Sequence, residues 1–454
     1  MDRKRLSRRD FLRIGALTAA GVALGGCAQP TPETEVVEVE VTRIVEGTPV
    51  VEIEEVEVPV EVTREVPAAP EETVIEFWNG IGPPEGVLMQ DLMNRFEDSQ
   101  TEVKIEQWTT EWEAFYTKIR TTYAEGVGPD LAVTHPRYQA RYGGTVFQPI
   151  DDLVDADPEI DSSMFSGSAW EACFYEGKQY ALPIDIHMFA LYCNVGLFEA
   201  AGLDLPKTEN ELVEAAKALT EAPDQWGLFT RYSGGGLFWE WLGYLAHRGQ
   251  KGVLSEDGTK AAFNNDAGIG ALQRMYDNIY TDKTGWGPVE GLDSYQAFMS
   301  QTCAMRNGGT WEKFAWDTIQ DLRYTSIMFM PEEPGTWGSS HLFVFPQMGT
   351  DEATQGAWDA AKFILKNFSV EWGVRGGHVP ALLEAAEDPE YTGLKEMQGF
   401  RDSVPYIVYL PRVPQHEEVS EAIIGNLNAA MGGEKGIEEA LNDAASKVND
   451  ILGA

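Results

Sequence analysis

The sequence predicts an α/β fold, and three observations carry that prediction. From Thr73 to Thr134, short apolar segments of strand length alternate with longer stretches of helical periodicity. The run Tyr175–Thr208 adds two apolar strands, two turns and two helix starts in quick succession. The chain has 454 residues, long enough for two lobes and a large core.

The elements can be justified in order. Ser7-Arg8-Arg9-Asp10-Phe11-Leu12 has the pattern of a twin-arginine export signal. The apolar stretch Ile14–Leu24 is too short to span a bilayer. It closes on Leu24-Gly25-Gly26-Cys27, which resembles a bacterial lipobox, with Cys27 offering the thiol for lipidation. Residues 1–26 are therefore read as a signal peptide and set apart from the fold. Residues 27–72 are read as a lipidated Cys followed by an acidic, disordered tether. Ala28–Glu72 holds 13 Glu against two Arg and repeats VEVTR at Val39–Arg43 and Val60–Arg64. Its Val/Glu alternation has the period of a strand, and a short β-stalk is the competing reading. Like charge, scattered Pro and few aromatics favour an extended tether.

The body starts at Thr73. Strands are expected at Val74–Trp78, Val103–Glu106 and Leu131–Thr134, and helices at Val87–Phe96 and Phe115–Tyr123. In Tyr175–Thr208, Glu176-Gly177-Lys178 is a turn. Pro183 lacks a donor, so its strand must bend, end or lie at an edge. Met188–Cys193 reads as a buried strand, and Gly202 stops the short helix Leu197–Ala201. Helices are expected at Glu209–Thr220, Phe238–His247, Ala267–Tyr280, Ser294–Ser300, Ala357–Phe368, Glu417–Met431 and Gly436–Leu452. Strands are expected at Trp226–Phe229, Thr302–Arg306, Ile327–Met330 and His341–Phe345.

The order of Gly177-Lys178, Tyr180, Pro183, an apolar strand, Asn194, Leu197-Phe198, Ala201-Gly202-Leu203 and Pro206-Lys207-Thr208 resembles the family 1 extracellular solute-binding proteins of ABC importers. Maltose-binding protein is a distant relative of that family. Phe77-Trp78, Pro129-Asp130, Pro149-Ile150-Asp151, Ala304-Met305 before Gly309 and Trp311, and Pro380-Ala381 match in the same order. Cys193 departs from the aromatic common there, and Gln301 or Thr302 stands where a Gly is common. The resemblance implies two α/β lobes, three interlobe crossings and a ligand cleft between the lobes. Lobe one is expected at 73–185 plus 303–368, and lobe two at 186–302 plus 369–454. The second crossing is placed around Thr302–Trp311 and the third in Ala357–Phe368.

In open α/β sheets ligands lie beyond the carboxyl ends of the strands. Trp78, His135, Asp185, Trp239, Trp311 and Trp337 stand at such ends and are the candidate ligand-binding residues. Asn79, His187 and Arg412 are weaker candidates. Each has a plain alternative: Trp78 as a core cap, Asp185 as a hinge hydrogen bond, His135 as a loop histidine. Trp offers a rigid platform for the C–H face of a sugar. The chain has 13 Trp, 16 Tyr and 20 Phe, so most of them must be core. With the family tendency, this points to a carbohydrate ligand. Polyamines and glycerophosphates are the alternatives, marked by clustered Asp/Glu or Arg.

Several functions are excluded or weakened. The formal net charge is -39, and residues 1–26 carry +4, which leaves -43 for the rest. That argues against nucleic acid as a partner. The motifs GxSxG, HExxH and GxxxxGK[ST] are all absent, so no enzyme activity and no cofactor are expected. A lipid-anchored glycosidase and a purely structural surface protein remain as alternatives. The six His are dispersed with no i, i+4 pair, so no metal site is expected. Cys173, Cys193 and Cys303 read as buried free thiols. The expected partners are a small solute, an ABC permease and, through Cys27, the outer face of the cytoplasmic membrane.

Overall fold

A computed structural model describes residues 34–45, 48–59, 72–286, 294–329, 334–346 and 349–454. The signal peptide and Cys27 lie outside these residues.

In place of the extended tether expected there, Thr34–Val45 (β1) and Thr48–Pro59 (β2) pair as an antiparallel hairpin. In the register Glu35 stands opposite Val58, Val36 opposite Glu57, Val39 opposite Glu54, Glu40 opposite Ile53 and Glu38 opposite Glu55. The hairpin belongs to a unit separate from residues 72–454.

Within 72–454 the strands form two main sheets. Thr73–Asn79 (β3) leads into helix Glu85–Asp98 (α1), which buries Leu88, Met89, Leu92, Met93 and Phe96 at helical spacing. Val103–Thr109 (β4), helix Trp112–Ala124 (α2) and Leu131–Thr134 (β5) follow. Both β4 and β5 run parallel to β3. Ala181–Pro183 (β6) completes this five-stranded sheet from its edge. Pro183 therefore both ends its strand and lies at an edge, the two places where its missing N–H costs no ladder bond.

One residue later the chain enters the other sheet as Asp185–Asn194 (β7), every residue of which is buried. Ile186, Met188, Ala190 and Tyr192 join one core, while Phe189, Leu191 and Cys193 join the other. This is the period-two pattern of a strand covered on both faces. Asn194 caps helix Val195–Ala201 (α3) by accepting from Leu197 N at 3.2 Å, and Gly202 ends it with φ 67°. Thr208 caps Glu209–Ala218 (α4) in the same manner. Next come Trp226–Phe229 (β8), Gly234–Ala246 (α5), Asp266–Tyr280 (α6) and Gly285–Trp286 (β9).

Cys303–Gly309 (β10), Tyr324–Ile327 (β11) and Thr336–Ser339 (β12), expected in lobe one, all pair within the second sheet. One edge of β7 pairs β10. The other takes β11, β12 and Val379–Pro380 (β14) end to end. Leu342–Val344 (β13) returns to the first sheet between β5 and β6. Helix Asp351–Gly376 (α7) is far longer than its expected span, because Thr350 caps it and only Gly377, at φ 80°, stops it. Ile407–Val408 (β15) edges the second sheet, which His416–Met431 (α8) and Ile437–Leu452 (α9) help cover.

The chain therefore passes between the sheets at Ile184, at Ser340-His341 and at Gly377-His378. The first passage lies within Tyr175–Thr208. The second and third come later in the chain than expected, because the Ala304-Met305 strand and the long helix each continue within one layer.

Candidate functional site

The three passages meet around Asp185. Its Oδ1 accepts from His187 Nδ1 at 3.0 Å and from the His341 backbone N–H at 3.1 Å. Its Oδ2 accepts from His341 Nδ1 and Trp372 Nε1, both at 2.8 Å. His378 completes the group, with Nδ1 against Thr310 Oγ1 at 3.0 Å and Nε2 3.2 Å from Glu85 Oε1. All four residues are buried, and one donor atom from each lies within 4.8 Å of the others. Three of the histidines, dispersed in the sequence, are thus gathered about Asp185 by the fold. His187, His341 and His378 sit at the starts or ends of elements from different passages, and only the fold joins them.

The electrostatics follow from this packing. Burial alone raises the Asp185 carboxyl, but the charges of His341 and His378 and the His187 and His341 hydrogen bonds outweigh it and hold the group well below the usual carboxylate range. Burial, helped by the charge of His341, pushes His187 down to about 3 despite its bond to Asp185. His378 is raised, since Asp185 and Glu85 overcome its burial.

Two aromatic groups flank this knot. On the side of the first sheet, Trp112 stacks on His341 at 5.6 Å and meets His135 edge-on at 4.4 Å. A Cβ on Gly80 would lie 2.2 Å from the Trp112 ring, so only glycine leaves room for it there. His135 Nδ1 lies 2.5 Å from the Tyr116 hydroxyl, and its ring is 5.5 Å from His187. Burial, with Arg137 next, holds His135 well below its ordinary pKa. On the side of the second sheet, Trp239 stacks face to face on Trp337 at 4.3 Å. Trp311 meets Trp337 edge-on at 6.2 Å and His187 at 6.0 Å. A Cβ on Gly309 would lie 2.3 Å from the Trp311 indole, so this glycine lets the ring fold back over the strand end. Trp239 and Trp311 remain partly exposed. Trp337 is buried, and its Nε1 finds no hydrogen-bond partner among the described residues.

Beneath these rings lies a balanced ionic group. Arg231 stands 4.4 Å over the Phe189 ring, 3.3 Å from Glu240 and 3.8 Å from Glu312. Arg306 bonds Glu312 at 2.8 Å. Burial raises both carboxyls and lowers the Arg231 guanidinium, and their mutual attraction opposes each shift. Two cations thus face two carboxylates. Arg306 Nε and Nη1 and both Asn307 amide atoms are buried without a partner among the described residues.

Of the predicted site residues, the fold brings together His135, Asp185, His187, Trp239, Trp311 and Trp337. It sets the other three apart. Trp78 is buried, 5.2 Å from Trp108, with Lys118 Nζ 3.8 Å over its ring. Asn79 locks its own turn, accepting from Ile81 N and donating to Thr109. Arg412 donates to the Glu171, Ala172 and Phe174 carbonyls and pins a loop. Trp112, Tyr116, Arg231, His341 and His378 escaped the sequence reading. His341 and His378 did carry a signal, each lying at an element boundary next to a strand. Cys173, Cys193 and Cys303 are free and buried, as expected, and burial pushes the Cys303 thiol up to about 12.

Comparison with known proteins agrees with this architecture. Solved structures similar to the chain include an ABC transporter solute-binding protein from Thermotoga lettingae bound with α-D-tagatose. It has a TM-score of 0.75 and 22% identity, over 84% of this chain and all of that one. Maltose-bound MalE3 of T. maritima has a TM-score of 0.75 and 19% identity, over 83% and 99%. Both show the two-lobed binding-protein fold. A putative binding protein of Brucella abortus (strain 2308) is 22% identical, over 84% of this chain and 92% of the relative. The sn-glycerol-3-phosphate-binding periplasmic protein of Yersinia enterocolitica is 24% identical over the same shares. The model of the bacterial extracellular solute-binding proteins matches residues 82–367, more than half of the chain. Such proteins bind small solutes outside the cytoplasm for ABC importers and catalyse no reaction. This two-lobed α/β chain belongs to the bacterial extracellular solute-binding protein family.

Proposed function

We propose that the chain captures a neutral carbohydrate, a mono- or oligosaccharide, by closing its two sheets about the three passages, and delivers it to a membrane permease. The stacked Trp239–Trp337 pair with Trp311 beside it carries this reading. Trp239 and Trp311, partly exposed beside the buried Trp337, offer apolar ring faces for sugar C–H groups, and the unpartnered Trp337 N–H and Asn307 amide are donors and acceptors suited to hydroxyls. The tagatose and maltose complexes of structurally similar proteins support the same class. We further infer export through the twin-arginine segment and anchoring by lipid on Cys27, from the Leu24–Cys27 pattern.

Glycerophosphate is the second reading, favoured by the relative from Yersinia enterocolitica and by Arg231 and Arg306. Glu240 and Glu312 balance those two arginines, which leaves no surplus cation for a phosphate. A polyamine is less favoured still, since all four hydrogen bonds of Asp185 are already taken by protein donors. A thermal-shift panel of monosaccharides, malto-oligosaccharides, glycerol 3-phosphate and spermidine tests the proposal, because a ligand of the folded state raises Tm by mass action. A rise with sugars supports it. A rise confined to glycerol 3-phosphate or spermidine overturns it.

A further inference from the structure

We propose that Asp185, His187, His341 and His378 form a binding site for a divalent transition ion of the zinc class, which staples the three passages between the sheets. The donor set is three imidazoles and one carboxylate. Imidazole suits zinc, nickel, copper and iron, whereas calcium and magnesium prefer sites built wholly of oxygen. The donor atoms already lie within 4.8 Å of one another. Zinc–donor bonds of about 2.1 Å in a tetrahedron place the donors roughly 3.4 Å apart. Asp185 Oδ1 lies 3.0 Å from His187 Nδ1 and Oδ2 lies 2.8 Å from His341 Nδ1, so these pairs open slightly, while the wider separations close from at most 4.8 Å.

The surroundings are those of a held site. Trp372 Nε1 donates to Asp185 Oδ2 and fixes the carboxylate, and Thr310 Oγ1 meets His378 Nδ1 and orients that ring. Such outer contacts aim metal ligands. A second observation points the same way. His378 Nε2 and Glu85 Oε1 are both buried and 3.2 Å apart, yet neither makes an aligned hydrogen bond among the described residues. Buried polar atoms left in this condition are costly, and an ion beside His378 would satisfy them. In the ion's absence, Asp185 is shared by four donors. With the ion bound, the ring nitrogens that now face Asp185 present their lone pairs to the ion, and the ring proton of His187 and of His341 lies on the other nitrogen.

The four residues come from the start of β7, the turn between β12 and β13, and the turn after α7. An ion there ties together the three segments about which the sheets move. This inference concerns the hinge and stands apart from which solute is bound.

The test uses the whole purified protein, stripped with chelator, dialysed and titrated with zinc, then desalted for elemental analysis. One tightly retained zinc per chain is expected, with a rise in Tm. Cobalt(II) should give the intense visible absorption of a four-coordinate site rather than the weak spectrum of ions on surface carboxylates. His341→Gln and His378→Gln should each lower zinc affinity at least 10-fold. His416→Gln, at a buried histidine elsewhere, should retain the ion. Circular dichroism of each variant separates loss of the site from loss of the fold. No zinc retained by the folded wild type overturns the proposal. So does equal retention by folded His341→Gln and His378→Gln variants.

Discussion

Asp185 holds more of the structure than any other single residue of the site. Four donors converge on its carboxylate, from β7, the second passage and α7. Asp185→Asn keeps the shape but removes the charge and turns one acceptor into a donor, so stability should fall by about 3 kcal/mol. Denaturant unfolding checks this, and an unchanged midpoint would contradict it. His416 gives a separate, pH-dependent prediction. Burial, with Arg137 and Arg141, pushes it down to about 2, so it folds neutral while the unfolded chain titrates near 6.5. The unfolded state therefore binds the extra proton between these values. The stability this histidine contributes is complete above about 6.5 and is lost as pH falls, by up to about 1.4 kcal/mol per pH unit. His416→Gln should flatten the acid limb of a Tm-against-pH curve between pH 6 and 4. An unchanged limb would contradict the assignment.

The elements that position the site do so through a few close approaches. A Cβ on Gly377, at φ 80°, would lie 2.5 Å from the Thr310 carbonyl. Gly377→Ala should therefore cost about 2 kcal/mol, measured by thermal unfolding, and disturb the third passage. The local elements were largely legible in the sequence. Asn194, Gly202 and Thr208 cap as their residue types dictate, and Pro183 ends an edge strand because it must. The passages were less legible. Cys303–Gly309 is a fully buried strand, and the pattern of one strand does not say which sheet it joins. Within the site, tryptophans at strand ends could be read directly, whereas His341 and His378 are joined to Asp185 only by three-dimensional closure. Trp78 misled because an aromatic at a strand end can equally cap a core. The hairpin of residues 34–59 was hidden by composition, although its alternation was plain.

Across the whole body, the first sheet's side meets α8 of the second through the Tyr138 hydroxyl, 3.1 Å from Glu417, and Arg141, 3.0 Å from the same carboxylate. On the proposed closure, these contacts would favour the closed arrangement. Arg141 and Glu417 are partly exposed, so removing Arg141 as Ala should weaken solute binding only 2–5-fold, and less at high salt. A loss beyond 100-fold would place Arg141 in the binding site instead. A neutral sugar seated on Trp239 and Trp311, beside the buried Trp337, is open to calorimetric titration of the wild type and of Trp311→Ala. Saturable binding of a mono- or oligosaccharide is expected, weakened about 10- to 100-fold in the variant, which is roughly 1.4–2.7 kcal/mol. Binding of glycerol 3-phosphate in preference to any sugar, unchanged by Trp311→Ala, would contradict it.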